Sequence, residues 1–148
     1  PVPARFIRFN IARANRAEPC VDELEIFAEG KNVALASAGA RATASGVYLD
    51  GSNPIHQLAL VNDGRYGNSR SWIANSSTNA WVQIELPKLA TIGRIKWARD
   101  REGRYADRLA VEYTFDVDGA WPMASRCPFR RPAADRRQSP NQARVFVG

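Results

Sequence analysis

The chain has 148 residues and carries 21 Lys and Arg against 15 Asp and Glu, a formal net charge of +6. With 45% hydrophobic and 24% charged residues it sits near the averages for globular domains, which excludes wholesale disorder and fibrous repeats and predicts one compact domain. No apolar run approaches the ~20 residues of a membrane-spanning helix, and a single histidine with two cysteines excludes common zinc sites and most His-dependent triads.

Arg5 to Ile11 (RFIRFNI) alternates with period two and predicts a strand, with Ile7, Phe9 and Ile11 on one fully apolar face and Phe6, Arg8 and Asn10 on the other. Val21 to Phe27 (VDELEIF) predicts a second strand. It places Asp22, Leu24 and Ile26 on one side and Glu23 among Val21, Glu25 and Phe27 on the other, so a carboxylate shares a face with apolar neighbours. Pro54 to Leu60 (PIHQLAL) carries the main helix signal, one or two turns with Pro at the first position. Further strands are predicted at Trp81 to Leu86, Thr91 to Ala98, Arg108 to Phe115 and Ala143 to Val147, with a hairpin turn at Asp118-Gly119. Trp72, Trp81 and Trp97 lie in or beside these strands and read as structural aromatics. Short strands bounded by Gly, Asn, Pro and Asp, with little helix, predict an all-β sandwich or jelly roll.

The charge is unevenly spread. From Arg126 to Arg144 there are six arginines and one acid, whereas residues 1 to 125 hold 15 basic and 14 acidic side chains. The basicity therefore belongs to a tail with three prolines and no apolar periodicity, and the body is not expected to bind nucleic acid. Residues 1–127 form the predicted sandwich, and residues 128–148 an Arg- and Pro-rich tail. The tail's charge alone allows a salt-sensitive attachment to an anionic polymer. Cys20 and Cys127 either form one bridge in an oxidising compartment or remain two buried thiols in a reducing one.

Four stretches, NVALASAGARATAS, PIHQLALVNDGRYGNSRSW, AWVQIELPKLATIGRIKWARD and YADRLAVEYTFDVDGAW, together resemble the discoidin or coagulation factor type C family and the related family 32 carbohydrate-binding modules. PARFIRFNI and VDELEIFAEG, similar to that family's closing strands, here come first. The resemblance therefore implies a circularly permuted galactose-binding-like jelly roll of about eight antiparallel strands. Gln142 to Val147 (QARVFV) resembles Pro3 to Phe9 (PARFIRF). Two segments are thus expected to compete for one slot in the sheet, and an unpaired copy is expected to pair with a neighbouring molecule.

The resemblance implies a calcium site in the loop from Val61 to Trp72. Asp63, Asn68, Ser71 and backbone oxygens suit a hard cation, and Glu23 completes the shell by its position in the family's closing strand. It implies a ligand site in loops at one end of the sandwich, with Tyr48, His56, Arg99, Asp100, Arg104 and Tyr105 as candidates, since paired hydrogen-bonding groups and an aromatic face suit a sugar. The alternating signs from Arg99 to Arg104 also fit a self-paired, solvated loop. The resemblance further implies a Cys20–Cys127 disulfide. Asn75-Ser76-Ser77 meets the N-glycosylation pattern. No nucleophile–base pair or phosphate-cradling motif stands out, so an enzyme is not expected. The functional expectation is a secreted, cell-surface-associated, calcium-stabilised glycan-binding module. The alternative is a structural subunit of an extracellular assembly or filament, self-associating by donation of the C-terminal strand.

Overall fold

A computed structural model describes residues 1–118 and the backbone of residues 142–146. Gly119 of the expected hairpin turn, Cys127 with its expected bridge, and most of the tail fall outside the described residues.

Nine strands occur among the described residues: β1 (Val2–Ala14), β2 (Cys20–Val21), β3 (Glu23–Ala28), β4 (Lys31–Asn32), β5 (Arg41–Ala44), β6 (Trp72–Ile73), β7 (Thr78–Ala98), β8 (Ala110–Asp118) and β9 (Gln142–Phe146). Every pairing between them is antiparallel, and the chain is all-β as the alternation predicts. Ile7, Phe9 and Ile11 are fully buried, as are Leu24 and Ile26, which confirms the faces read from RFIRFNI and VDELEIF.

The helix expected at Pro54 to Leu60 shrinks to a 3-10 turn at Leu58–Leu60. Asn53 Oδ1 accepts the Ile55 N–H at 3.2 Å, and His56 bridges to Ser71 as an isolated β pair. A local side-chain turn and a tertiary pairing thus outcompete the first helical turn.

The two strands expected at Trp81 to Leu86 and Thr91 to Ala98 are one continuous strand of 21 residues, β7. Its middle, Pro87, Lys88 and Leu89, is exposed. There β1 slips in register: Ala4 faces Ala90, but Phe6 faces Glu85. Proline cannot donate to a ladder, so it belongs at such an irregularity. The bend is large. Phe9 pairs with Val82, yet its ring lies 5.3 Å from that of Trp97, although a straight strand would carry Val82 and Trp97 about 50 Å apart. β7 therefore folds back on itself and contributes to both layers of a sandwich. Its first half pairs with β1 and β5, with β8 beyond β1; its second half pairs with β3 and β9, with β4 beyond β3.

The layers meet around Phe9, whose ring stacks on Phe115 at 4.5 Å and meets Tyr113 edge-on at 5.2 Å. Trp72 and Trp97 are buried, at 0% and 2% exposure. Trp81 is not a core residue: it faces outward, half-buried beneath the Arg8 guanidinium, because it shares the phase of Gln83 and Glu85, opposite to buried Val82 and Ile84.

The two similar segments do not compete for one slot within this chain. At Ile92, β7 has β1 on one side and β3 on the other; from Arg94 to Ala98, β9 replaces β1 opposite β3. β9 and β1 thus lie end to end along one edge of β7. Phe146 faces Arg94, and Val2 faces Ile92.

Candidate functional site

The short pair β2–β6, with Cys20 opposite Ile73 and Val21 opposite Trp72, ties the start of β3 to the loop from Val61 to Trp72. Trp72 locks this junction by donating its indole N–H to the Gly46 carbonyl at 2.9 Å. Two groups of polar side chains gather here.

The first contains Glu23, which is only 1% exposed. Its Oε1 accepts the Gly64 N–H at 3.0 Å, while its buried Oε2 has no hydrogen-bond partner. Gly64 has φ 81°, and a Cβ there would crowd Leu35 at 3.1 Å, so glycine permits the close approach. Burial pushes the Glu23 carboxyl up to about 8; the Asp63 and Glu25 charges add to the rise, and the Gly64 N–H opposes it. Asp63 Oδ1 accepts the Arg65 N–H at 2.9 Å, and its other oxygen pairs with Arg70. Glu25 is paired with Lys96 at 2.9 Å.

Of the four expected cation ligands, the structure brings Glu23 and Asp63 together and directs the other two elsewhere. Asn68 Oδ1 accepts from Arg99 at 3.1 Å, and Ser71 Oγ lies 2.8 Å from His56 Nδ1. Among the described residues no group of three or more His, Cys, Asp or Glu is arranged around a metal position. The two carboxylates and the orphaned Glu23 oxygen suit a hard cation, and its remaining ligands would be backbone carbonyls and water.

The second group lies where β7 ends. Arg99 is 3% exposed, and Asp22 and Asp100 are fully buried. Arg99 Nη1 donates to Asp22 Oδ1 at 3.3 Å as well as to Asn68, and Asp22 Oδ2 accepts the Asp100 N–H at 3.1 Å. Burial outweighs the Arg99 charge and raises the Asp22 carboxyl to about 6. Asp100 adopts φ 51° and accepts the N–H groups of Arg104 and Tyr105 at 3.0 and 2.5 Å, winding the loop around its carboxylate. Burial opposes its ionisation, but these N–H groups and Arg99 prevail and hold its pKa below the usual value. Arg99 lies 5.6 Å from the Tyr105 ring centroid, and Tyr105 is 49% exposed. Arg104 pairs with Glu102 at 3.1 Å, both well exposed, a rim contact worth little.

Arg108 completes this group. It donates to Glu18 Oε2 at 2.8 Å, and its guanidinium lies 5.6 Å from the Tyr48 ring centroid. Burial lowers the His56 pKa, and the charges of Arg99 and Arg108 lower it further, so the imidazole stays neutral at neutral pH. Tyr48, His56, Arg99, Asp100 and Tyr105 therefore share one neighbourhood, with Arg104 at its rim. The sequence reading missed Arg108, placed at the head of a strand but held in the 3-10 turn Ala106–Arg108, and Asp22, whose strand phase gave only burial. The Asp107-Arg108 pair ahead of an apolar run was the available signal.

Cys20 is buried and has no disulfide partner among the described residues, and burial raises its thiol pKa to about 12. Asn75 is exposed, with its carboxamide so close to Gly46 that a Cβ there would meet it at 2.2 Å. Among the described residues, no helix is long and apolar enough to cross a membrane. Compared with protein-family models, curated proteins and solved structures, the chain matches none of them.

Proposed function

We propose that this chain is a non-catalytic, extracellular binding module that recognises glycans at a cell surface or matrix through the loop end of its sandwich. The reading rests chiefly on the grouping of Tyr48, His56, Arg99, Tyr105 and Arg108, which offers aromatic faces beside fixed hydrogen-bonding groups, the combination a polyhydroxylated ring requires. The Ser71–His56 pair offers no nucleophile to a substrate, because Ser71 is fully buried. Calcium stabilises the module in this reading, held by Glu23 and Asp63; the orphaned Glu23 oxygen favours it. The discoidin-like resemblance, the Cys20–Cys127 bridge and modification at Asn75 belong to the same proposal.

The test is titration of the isotope-labelled chain with galactose, mannose, glucose, fucose and N-acetylglucosamine, read by amide chemical shifts. At least one sugar is expected to move the amides of Tyr48, His56 and 99–108, and Arg99→Met to abolish the effect. If no sugar moves them, the glycan reading fails. Calcium is tested separately: it is expected to raise the melting temperature relative to EGTA, by linkage, and Glu23→Gln to remove the rise.

A second reading is favoured by the position of β9, whose backbone pairs along one side of β7. The same pairing made to a neighbour's β7 would join subunits into an assembly. Deleting residues 140–148 would then reduce particle size in solution; unchanged size excludes it.

A further inference from the structure

The outward face of β7, β1 and β8 carries a second arrangement, which on β8 begins a few residues beyond Arg108 of the loop-end group. Along β1 and β8, Asn10 faces Thr114 and Ile11 faces Tyr113, but the next pair is Arg13 with Glu112. Ala12 is left without a partner in a bulge, a device that re-aims side chains beside sites. On the other flank Asn79 of β7 adopts φ 53°. Between them lies a depression of about 260 Å³ lined by Asn10, Ala12, Asn79, Glu112 and Thr114, among others. The methyl of Ala12 is exposed and too short to fill it.

The surface beside the depression is held in place. Asn10 Nδ2 donates to Asp116 Oδ2 at 2.9 Å. Arg8 donates to Gln83 Oε1 at 3.0 Å, and its guanidinium lies 4.2 Å over the Trp81 ring. This gives a stacked surface bordered by Asn10, Gln83 and Asp116, which these hydrogen bonds hold in place. The charges cancel, with Arg8 and Arg13 against Glu112 and Asp116 on the same rows, so a polyanion gains nothing here. The exposed large apolar side chains among the described residues, Leu49, Ile55, Leu89 and Tyr105, all lie elsewhere. A protein partner that needs a dry apolar centre is therefore poorly served.

We propose that this face is a second binding site, for an uncharged oligosaccharide lying across β7, β1 and β8 with one ring seated in the depression. Amide and carboxylate groups donate to and accept from vicinal hydroxyls, and the Arg8–Trp81 stack meets the flat side of the chain. The volume falls below the ~300 Å³ at which whole small-molecule clefts begin, so the depression seats one ring and the rims supply the remaining contacts of a longer chain. The proposal does not rest on the loop-end reading.

The test is titration of the isotope-labelled full chain with cellohexaose, mannohexaose, xylohexaose and maltohexaose. At least one is expected to shift the amides of residues 10–13, 79–81 and 112–114. Ala12→Arg, which fills the depression from an exposed position, is expected to weaken that binding tenfold or more, as is Thr114→Arg, while leaving loop-end shifts unchanged. No shift at these amides with any of the four overturns the proposal. Shifts confined to Tyr48 and residues 99–108 overturn it while leaving the loop-end site standing. Shifts at these amides that grow with protein concentration without sugar assign the face to a second copy and overturn it too.

Discussion

Glu23 sits at a position where the strand pattern allows a polar side chain but the fold does not let water reach it. Below about pH 4.5 its carboxyl is protonated both folded and unfolded. As pH rises toward about 8 the unfolded chain ionises while the folded one keeps its proton, so folding stability falls across that window. Asp22, raised to about 6, acts in the same direction at lower pH. In EGTA, Glu23→Gln is expected to be more stable than the parent at pH 8 by on the order of a few kcal/mol. The two should converge near pH 4.5, as read from urea midpoints at each pH. Equal pH profiles would show that the carboxyl is already ionised and compensated. Glu23 was legible as an anomaly because period-two alternation places it unambiguously. Arg99 and Asp100 were not: alternating charges read equally as a solvated loop, and only the left-handed Asp100 and its two N–H donors turn those residues into a buried network.

β7 is the element on which both layers depend. Its two halves were visible as two strands, although Trp81 was read there as a structural aromatic and faces outward, and the sequence does not say that Pro87 marks a bend within one strand rather than a loop between two. That depends on β1 following β7 across the bend while β3 pairs only beyond it, a pairing choice that lies outside any local window. The bend brings Trp97 against Phe9, which its β8 neighbours Tyr113 and Phe115 already flank. Phe9→Ala is therefore expected to cost about 3–5 kcal/mol, seen as a lower urea midpoint with unchanged slope. Trp81→Ala, on β7 but facing outward, should cost much less. Similar losses for both would contradict the outward placement of Trp81. The helix expected at Pro54 to Leu60 fails for the same kind of reason: Asn53 and Ser71 supply partners that a propensity argument does not weigh.

At the scale of the molecule, the all-β class was legible because many short alternating segments leave no other way to bury their faces. The order of strands was not, since β1 and β8 pair across about a hundred residues. Because β9 ends two β7 positions from where β1 begins, joining Pro1 to Gly148 through a short flexible linker should be compatible with the fold. The closed chain loses unfolded-state entropy, and the expected gain is up to about 4 kcal/mol, measured as a rise in the urea midpoint. A destabilised circle would show that the two strand ends do not meet as their register implies.

The same end-to-end placement has a mechanical consequence. A tensile load applied between Val2 and Phe146 enters the sandwich at neighbouring rungs of the β7 ladder, Ile92 and Arg94, rather than at its far ends. The rungs would then open in sequence, outward in both directions, instead of sharing the force in shear. A sandwich stable to heat and denaturant would still yield to a weak pull along this line.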